Sequence, residues 1–494
     1  MKLWPVITAF LSGAVLVAAA ETPARPISLQ ECLVSALQKN LELKIDTYNP
    51  HFALYNLQAA RAAYEPTLSL SGQHSYTESS DPTVSGAINK TTADRVDSSL
   101  NGLTPWGMTY NLRANAAEQT QKSYFTNQPV IPFESSQGLA ALDLTQPLLK
   151  NLWIDSTRLN IAVAKLQLKS SELGLKSAIM DIVTRVEVAY YNLEFGCENV
   201  KVQQKGLELA QRLLDENRKR VQVGALAPLD EAQSESQVAA RQADVTAAEQ
   251  NRDILENALK QLMTDNFAGV HADRLDPNDP LTPDRELFDL QDSWTKGLSL
   301  RPDYLQAKLS LEQAGVQLKF SRNQLYPELD LFGTLGYAGA GVEVNDAIDQ
   351  VGRGSQPFYT VGGRITVPVG NGVARNQYKS SRESRDQSAV ILKKTEQDIM
   401  IQIDNAIKLA DSNFARLEST RKAREYAETA LAAEEKKLEN GKSTSFVVLS
   451  LQNDLTSARS NEISALVQYK ISLAQLAQAE GTTLERHKID INRK

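Results

Sequence analysis

Few residues of this chain have the types and spacing that chemistry needs. Gly441-Lys442-Ser443 has the end of a phosphate-loop signature, but the first glycine of GxxxxGK[ST] would fall at Lys436. The triplet also follows a helical pattern rather than a strand, so no nucleotide site is expected. The histidines, His51, His74, His271 and His487, are scattered, with no cysteine or carboxylate at metal-ligand spacing. Surface or packing roles account for them. Neither GxSxG nor HExxH occurs. Cys32 and Cys197 are too few for a disulfide framework and lie in separate helical patterns, where small buried side chains explain them better than a bridge. No catalytic constellation, cofactor or metal site is expected. Function must lie in how the elements are built.

Two breaks organise those elements. Lys437–Gly481 reads as a helix end, a break at Asn440-Gly441, and a second helix free of proline. Leu451, Leu455, Ala458, Ala465, Tyr469 and Leu476 are spaced as a lengthwise packing seam. The same design occurs at Val223-Gly224-Ala225-Leu226, which precedes a helix from about Pro228 to Met263. Two such breaks indicate an internal duplication.

Composition agrees with long helices: 6% aromatic, 42% hydrophobic, with a net charge of −7 that gives no general pull toward nucleic acid. Residues 1–20 combine Lys2, an apolar run and Ala18-Ala19-Ala20, the pattern of a cleaved secretory signal. No later stretch approaches the ~20 apolar residues of a membrane helix. A mature chain that crosses a membrane must therefore do so with strands.

Strand patterns are present in each half. Ile27–Ile45 reads as one amphipathic helix with Ser28 and Glu31 forming a capping box, and a second helix ends before Pro66. Then Leu68, Leu70, Gly72, His74 and Tyr76 alternate with polar residues. In the second half, Leu329, Leu331, Gly333, Leu335 and Tyr337 share one face. Tyr359, Val361, Gly363, Ile365, Val367 and Val369 form the clearest alternation, with Leu139–Leu149 as its counterpart. The expected layout is a first repeat over 21–263 (strands near 66–77 and 139–149, tip at Gly224) and a linker over 264–284 marked by Pro277, Pro280 and Pro283. A second repeat follows over 285–481 (strands near 327–338 and 358–369, tip at Gly441), then a tail over 482–494. Helices entering and leaving each tip would form rods on the order of 100 Å at ~1.5 Å per residue. Pro66–Pro147 is twice as long as Pro327–Pro368. The excess holds a hairpin, Val96–Leu103 and Met108–Ala114, which either enters the sheet or projects beside it.

Four strands on long helices would leave both sheet edges open in water. One apolar and one polar face fit a membrane barrel instead, with Leu68, Leu70, Leu329, Leu331, Val361, Ile365 and Val367 toward lipid. Four strands cannot enclose a channel, so several chains must contribute.

At this point the chain resembles the TolC-like outer-membrane efflux proteins over about Ile27–Gly481, least well at 95–135. The marks are RVQVGALAPLDEAQ (220–233), KLENGKSTSFVVLSLQ (437–452), RPDYLQAKLSLEQA (301–314) and LYPELDLFGTLGY (325–337). The resemblance implies a mainly helical fold with a small β part: helical hairpins forming a periplasmic α-barrel, and strands contributing to a shared transmembrane β-barrel in a homotrimer. It also implies a Gram-negative outer membrane with a long periplasmic portion, and a passive exit duct that is not an enzyme. The implied partners are outer-membrane lipid, a periplasmic adaptor (membrane fusion) protein and an inner-membrane RND or ABC transporter, with no nucleic acid. Gly224, Ala225, Leu226, Asp230, Gly441, Lys442 and Ser443 would then form the adaptor-contacting tips. Val447 and Ser450 stand where relatives often carry the acidic residues of the constriction, so this chain departs from an acidic ring there. A protein-secretion duct, or a non-conducting periplasmic coiled-coil scaffold, remains an alternative on sequence alone.

Overall fold

The computed structural model describes residues 25–80, 88–124, 130–280, 282 and 284–489. The signal pattern at 1–20 and Pro283 lie outside them. In chain order the elements are β1 (Arg25–Ile27), α1 (Leu29–Lys39), α2 (Leu41–Asp46), α3 (Tyr48–Arg61), β2 (Thr67–Ser80), β3 (Ile88–Leu103), β4 (Thr109–Tyr124) and β5 (Ile131–Pro147). Then come α4 (Ser156–Gln222), α5 (Pro228–Met263), α6 (Phe267–Val270), β6 (Leu275–Pro277), α7 (Leu290–Leu300), α8 (Pro302–Asn323), β7 (Glu328–Gly341), α9 (Val344–Gly352) and β8 (Gln356–Thr366). The chain ends with α10 (Gly372–Glu439), α11 (Ser445–Glu480) and α12 (Thr483–Arg486).

Two compact units emerge, and they cut across the sequence repeats. One gathers the described residues up to Lys44, Ile179–Trp294 and those from Gln402 onward; the other comprises Ile45–Ala178 and Thr295–Ile401. The strands β2–β5, β7 and β8 fall in one unit, and the bends at Gly224 and Gly441 in the other.

In the first unit, β1 pairs in parallel with β6, from Arg25 opposite Leu275 to Ile27 opposite Pro277. Ser28 caps α1, its Oγ accepting the Glu31 amide at 3.3 Å. The helix expected over Ile27–Ile45 is divided at Asn40. The buried Asn40 side chain accepts the Leu43 amide at 2.9 Å and donates to the Leu262 carbonyl at 2.9 Å, so it caps α2 and fastens it to the end of α5. The coiled-coil seam of α11 is buried where it packs on α10: Ala465, Tyr469 and Leu473 join Ala410 and Leu417 in one apolar cluster. A second cluster joins Leu213 of α4, Leu431 and Leu438 of α10, and Val448 and Leu455 of α11. Cys32 is buried and Cys197 half-buried; both are free thiols.

The second unit holds a six-stranded antiparallel sheet in the order β2-β3-β4-β5-β7-β8. The strands are longer than the alternation in sequence suggested, because pairing carries on through polar residues: β2 reaches Ser80 and β5 begins at Ile131. β8, by contrast, stops at Thr366, so Val367 and Val369 belong to the turn into α10. The extra hairpin sits inside the sheet. β3 pairs with β2 from Asn101 opposite Thr67 to Ile88 opposite Ser80, and β4 pairs with β5 from Thr109 opposite Thr145 to Ser123 opposite Ile131.

The strand-to-helix corners recur. Asn151 (φ 64°) and Asn371 (φ 42°, after Gly370 at φ 89°) take left-handed conformations that asparagine and glycine tolerate. Asn151 is held by Asn323, whose Oδ1 accepts its amide at 2.7 Å, and Asn371 Nδ2 donates to the Leu325 carbonyl at 3.2 Å.

Candidate helical tips and sheet faces

The tips of the two helical hairpins are built alike. Gly224 has φ 80° and Gly441 φ 65°. In the first, the Gly224 amide donates to the Val221 carbonyl (3.0 Å) and the Ala225 amide to the Arg220 carbonyl (2.8 Å). In the second, Gly441 donates to Leu438 (3.1 Å) and Lys442 to Lys437 (2.8 Å). This paired pattern ends a helix with a left-handed residue, and glycine adopts it without steric cost. No atom lies within 4 Å of where a Cβ would sit at either glycine. The conformation, rather than crowding, selects the residue.

Beyond the bends the chain restarts helices. Asp230 accepts the Ala227 amide at 3.2 Å in a capping-box arrangement, with Pro228 in the first helical turn of α5. Gly224, Ala225, Gly441 and Lys442 are exposed, whereas Leu226, Asp230 and Ser443 are half-buried. Ser443 is turned inward because its Oγ donates to Glu434 Oε1 at 2.6 Å, closing the second bend on itself. Val447 and Ser450 are both exposed on α11, opposite the buried Val448.

Two features were not read from sequence. Val223, Leu229 and Phe446 expose large apolar side chains beside the bends, at 79%, 67% and 71%. Apolar residues flanking a glycine break were the available signal. Second, Asp454 is the first carboxylate along the exposed Val447–Ser450 stripe, one turn beyond Ser450 at helical spacing.

Behind the tips lies a buried polar relay. Asn217 of α4 donates from Nδ2 to Ser234 Oγ of α5 at 2.9 Å, and Ser445 Oγ of α11 donates to Asn217 Oδ1 at 3.0 Å. All three residues are buried. Arg218 adds ion pairs to Glu231 and Glu235 across the first hairpin. Arg459 of α11 and Arg424 of α10 share Glu428 at 2.8 and 2.9 Å.

The sheet has two chemically distinct faces, and the register aligns them across every strand. Directly opposed residues share a face. Starting at Leu68, the opposed residues are Leu100, Leu112, Leu142, Leu335 and Tyr359. The next rows hold Leu70, Ala114, Ala140 and Tyr337, and on the other side of the first row Leu144, Gly333 and Val361. Leu68, Leu70, Leu331, Val361 and Ile365 are exposed and Leu329 is half-buried; Val367 is exposed too, but in the turn beyond β8 rather than on the sheet. From Leu329 to Tyr337 this apolar face covers about 27 Å along the strand at ~3.4 Å per residue.

The opposite face is polar and internally paired. Arg113 meets Asp143 at 2.8 Å, Thr334 Oγ1 donates to the same Asp143 at 2.7 Å, Arg95 meets Asp97 at 2.8 Å, and Arg364 approaches Asp330 at 3.9 Å. Phe332, whose parity puts it on this face, is covered: its ring fills the space over Gly362, and the Arg364 guanidinium lies 5.8 Å from its centroid. This explains the one apolar residue that disturbed the polar alternation in sequence. Among the described residues no helix is long and apolar enough to cross a membrane, and no group of His, Cys, Asp and Glu could hold a metal ion.

An exposed apolar sheet face backed by a charged one, in a chain that also carries two helical hairpins, defines the class of strand-spanning membrane proteins. The model of the outer membrane efflux protein family matches residues 114–264 and 296–482, well over half of the chain, and this protein belongs to that family. Over 378 residues it is 23% identical to outer membrane protein TolC of Escherichia coli (strain K12), covering 72% of each chain. Its fold is similar to the CmeC outer membrane channel of Campylobacter jejuni (TM-score 0.67, 16% identity, covering 92% of this chain and 86% of that one). It is equally similar to the outer membrane protein VceC of Vibrio cholerae (TM-score 0.67, 17% identity, 92% and 96%). The chain is thus an outer-membrane efflux channel protein with a long helical periplasmic part, and not an enzyme.

Proposed function

We propose that this chain is one third of a homotrimeric exit duct. It passively conducts substrates delivered by an inner-membrane RND or ABC transporter through a periplasmic adaptor. The supporting observation is the sheet: one face apolar, exposed on β2, β3, β4, β7 and β8 and half-buried on β5, the other charged, with β2 and β8 at its edges. Such a sheet is satisfied when neighbouring copies pair its edges, lipid covers the apolar face and water fills the lumen.

On this reading residues 1–20 are removed on export, and the chain comprises two repeats with tips at Gly224 and Gly441. Ala225, Leu226, Asp230, Lys442 and Ser443 meet the adaptor, helped by the exposed Val223, Leu229 and Phe446. Val447 and Ser450 line the constriction without charge, and Asp454 supplies the nearest carboxylate. Selection of cargo lies in the pump rather than in this passive wall.

The test is purification of the mature chain in detergent and reconstitution into planar bilayers. Stable trimers that form pores are expected; a monodisperse monomer in plain buffer would refute the proposal. Deleting the gene should raise sensitivity to small toxic compounds. Loss of an exported protein with unchanged sensitivity would instead identify a secretion duct.

A further inference from the structure

We propose that the β3–β4 hairpin is part of the membrane wall, so that three chains close an eighteen-strand barrel (three times six strands). This rests on the trimeric duct above. Without the hairpin each chain would bring four strands, and the trimer twelve.

Three observations carry it. First, the hairpin is paired along both sides, β3 to β2 and β4 to β5, so it separates β2 from β5 and cannot be removed without reopening the sheet. Second, its turn packs, with Gly107 buried, against the corner where the strands meet the helices. The Gly107 amide donates to the Thr104 carbonyl at 2.9 Å, and a Cβ at Gly107 would come within 2.7 Å of Arg158 Nη2. That guanidinium donates to the Asn151 carbonyl at 2.7 Å and to Asp155 Oδ2 at 2.9 Å, in the corner between β5 and α4. A hairpin projecting beside a barrel would not pack there.

Third, the hairpin carries both faces of the wall in register. Val96, Leu100, Leu112, Ala114 and Ala116 continue the apolar face, interrupted by Ser98 opposite Leu70 and Ala114, while Arg95, Asp97, Arg113 and Asn115 continue the polar one. Tyr110 lies over Gly102 and fills the gap that glycine leaves on the apolar side. Trp106 at the turn, 59% exposed, supplies the amphipathic ring expected at a membrane boundary. Farther along, His74, Asp94 and Glu118 end the apolar stretch.

The occupant of the open edges is a second copy of this chain. An even number of strands per copy makes β8 of one antiparallel to β2 of the next, and brings exposed Val361 and Leu70 onto one continuous face. At ~4.8 Å between strands and a tilt of about 40°, eighteen strands give a backbone diameter of about 36 Å, against about 24 Å for twelve. The added hairpin therefore widens the outer mouth.

Single cysteines along β3 and β4 of the full chain, labelled with a fluorophore in reconstituted vesicles, test this. Val96→Cys, Leu100→Cys, Leu112→Cys and Ala116→Cys should be quenched severalfold more by nitroxide lipid than Asp97→Cys and Asn115→Cys, which iodide should quench instead. Val361→Cys and Thr360→Cys on β8 serve as the reference pair. Water exposure at both parities of β3 and β4, with alternation kept on β8, would overturn the proposal. Loss of alternation on β8 itself would instead sink the duct. Copy number by native mass spectrometry completes the count: three supports eighteen strands, and two refutes it. Should a labelled variant fail to insert, Leu70→Cys or Gly72→Cys combined with Val361→Cys offers a second measurement. A disulfide-linked ladder ending at three copies is expected, and no linked species in any pairing would overturn closure.

Discussion

Ser445 Oγ donates a hydrogen bond to Asn217 Oδ1 at 3.0 Å, joining the helix after the second bend to the helix before the first. Asn217 also donates to Ser234, so one buried amide holds three helices. Replacing it leaves two hydroxyls without this partner in a buried site. Asn217→Ala should destabilise the tip region by about 1–3 kcal/mol, read as a lower helix-unfolding midpoint by circular dichroism in detergent. Ser234→Ala and Ser445→Ala should each have smaller effects. Their sum should differ from the double variant, because the bonds share one side chain.

At Gly224 and Gly441 the cost is conformational. Alanine at either position should cost about 1–2 kcal/mol for its left-handed backbone, while asparagine should cost less. Space near the missing Cβ is open, so larger residues should cost little beyond alanine. Thermal unfolding of the Ala, Asn and Leu series at each position measures this. A steep rise from Ala to Leu would show that these bends are crowded.

Glu194 on α4 sets a pH dependence. Burial, with Asp279 and then Glu198 nearby, pushes its carboxyl up from an ordinary value of 4.5 to about 8, against the weaker pull of Lys470 and Lys201. Its Oε2 is buried without a hydrogen-bond partner. The folded protein thus holds this proton more tightly than the unfolded chain. Its contribution is full below about pH 4.5 and declines as pH rises toward about 8, with the slope sign set by proton uptake on folding. Glu194→Gln should match the parent in acid and exceed it in stability at pH 8. Urea titrations at pH 4.5, 6 and 8 would reveal a constant difference if the group were ordinary.

Desolvation raises the Cys32 thiol to about 12 and the Cys197 thiol to about 11. Thiolate, the reactive form, is then scarce at neutral pH. Both cysteines should resist maleimide in the folded protein and react on unfolding, with mass spectrometry showing two added labels. A species two mass units lighter that accepts none would mean a bridge.

Period and punctuation made much of this fold legible. The change from helical spacing to alternation at Pro66 and Pro327, and the glycine breaks at 224 and 441, come from local backbone rules, which act over a few residues and leave their mark in sequence. What stayed hidden depends on distant partners. Asn40 has the local chemistry to cap α2 on the Leu43 amide, but its bond to the Leu262 carbonyl, which holds that break in place, is announced by nothing near it. Phe332 sits on the polar face because Gly362 leaves room for its ring. The hairpin's place in the sheet was undecidable for the same reason: alternation tells which residues share a face but not which strand lies alongside. Likewise, Leu226 and Ser443 flank their glycines in sequence as Ala225 and Lys442 do, yet the folded bends turn them partly inward.

The register yields the sharpest test of the sheet. Thr360 and Val361 are neighbours on β8, opposite Thr334 and Gly333 respectively, and therefore lie on opposite faces. Val361 is 73% exposed with its apolar neighbours Tyr359 and Ile365, whereas the Thr360 face carries Arg364. If the apolar face meets lipid, a lysine at 361 places its charge there, at a cost of about 2–4 kcal/mol near the midplane, while one at 360 enters a polar lumen. Val361→Lys should sharply reduce insertion into liposomes and the yield of stable trimers; Thr360→Lys should insert normally and change the ion selectivity of the pore. Were both lysines tolerated, the apolar face would not be in contact with lipid; the reverse order of effects would mean that the faces are exchanged.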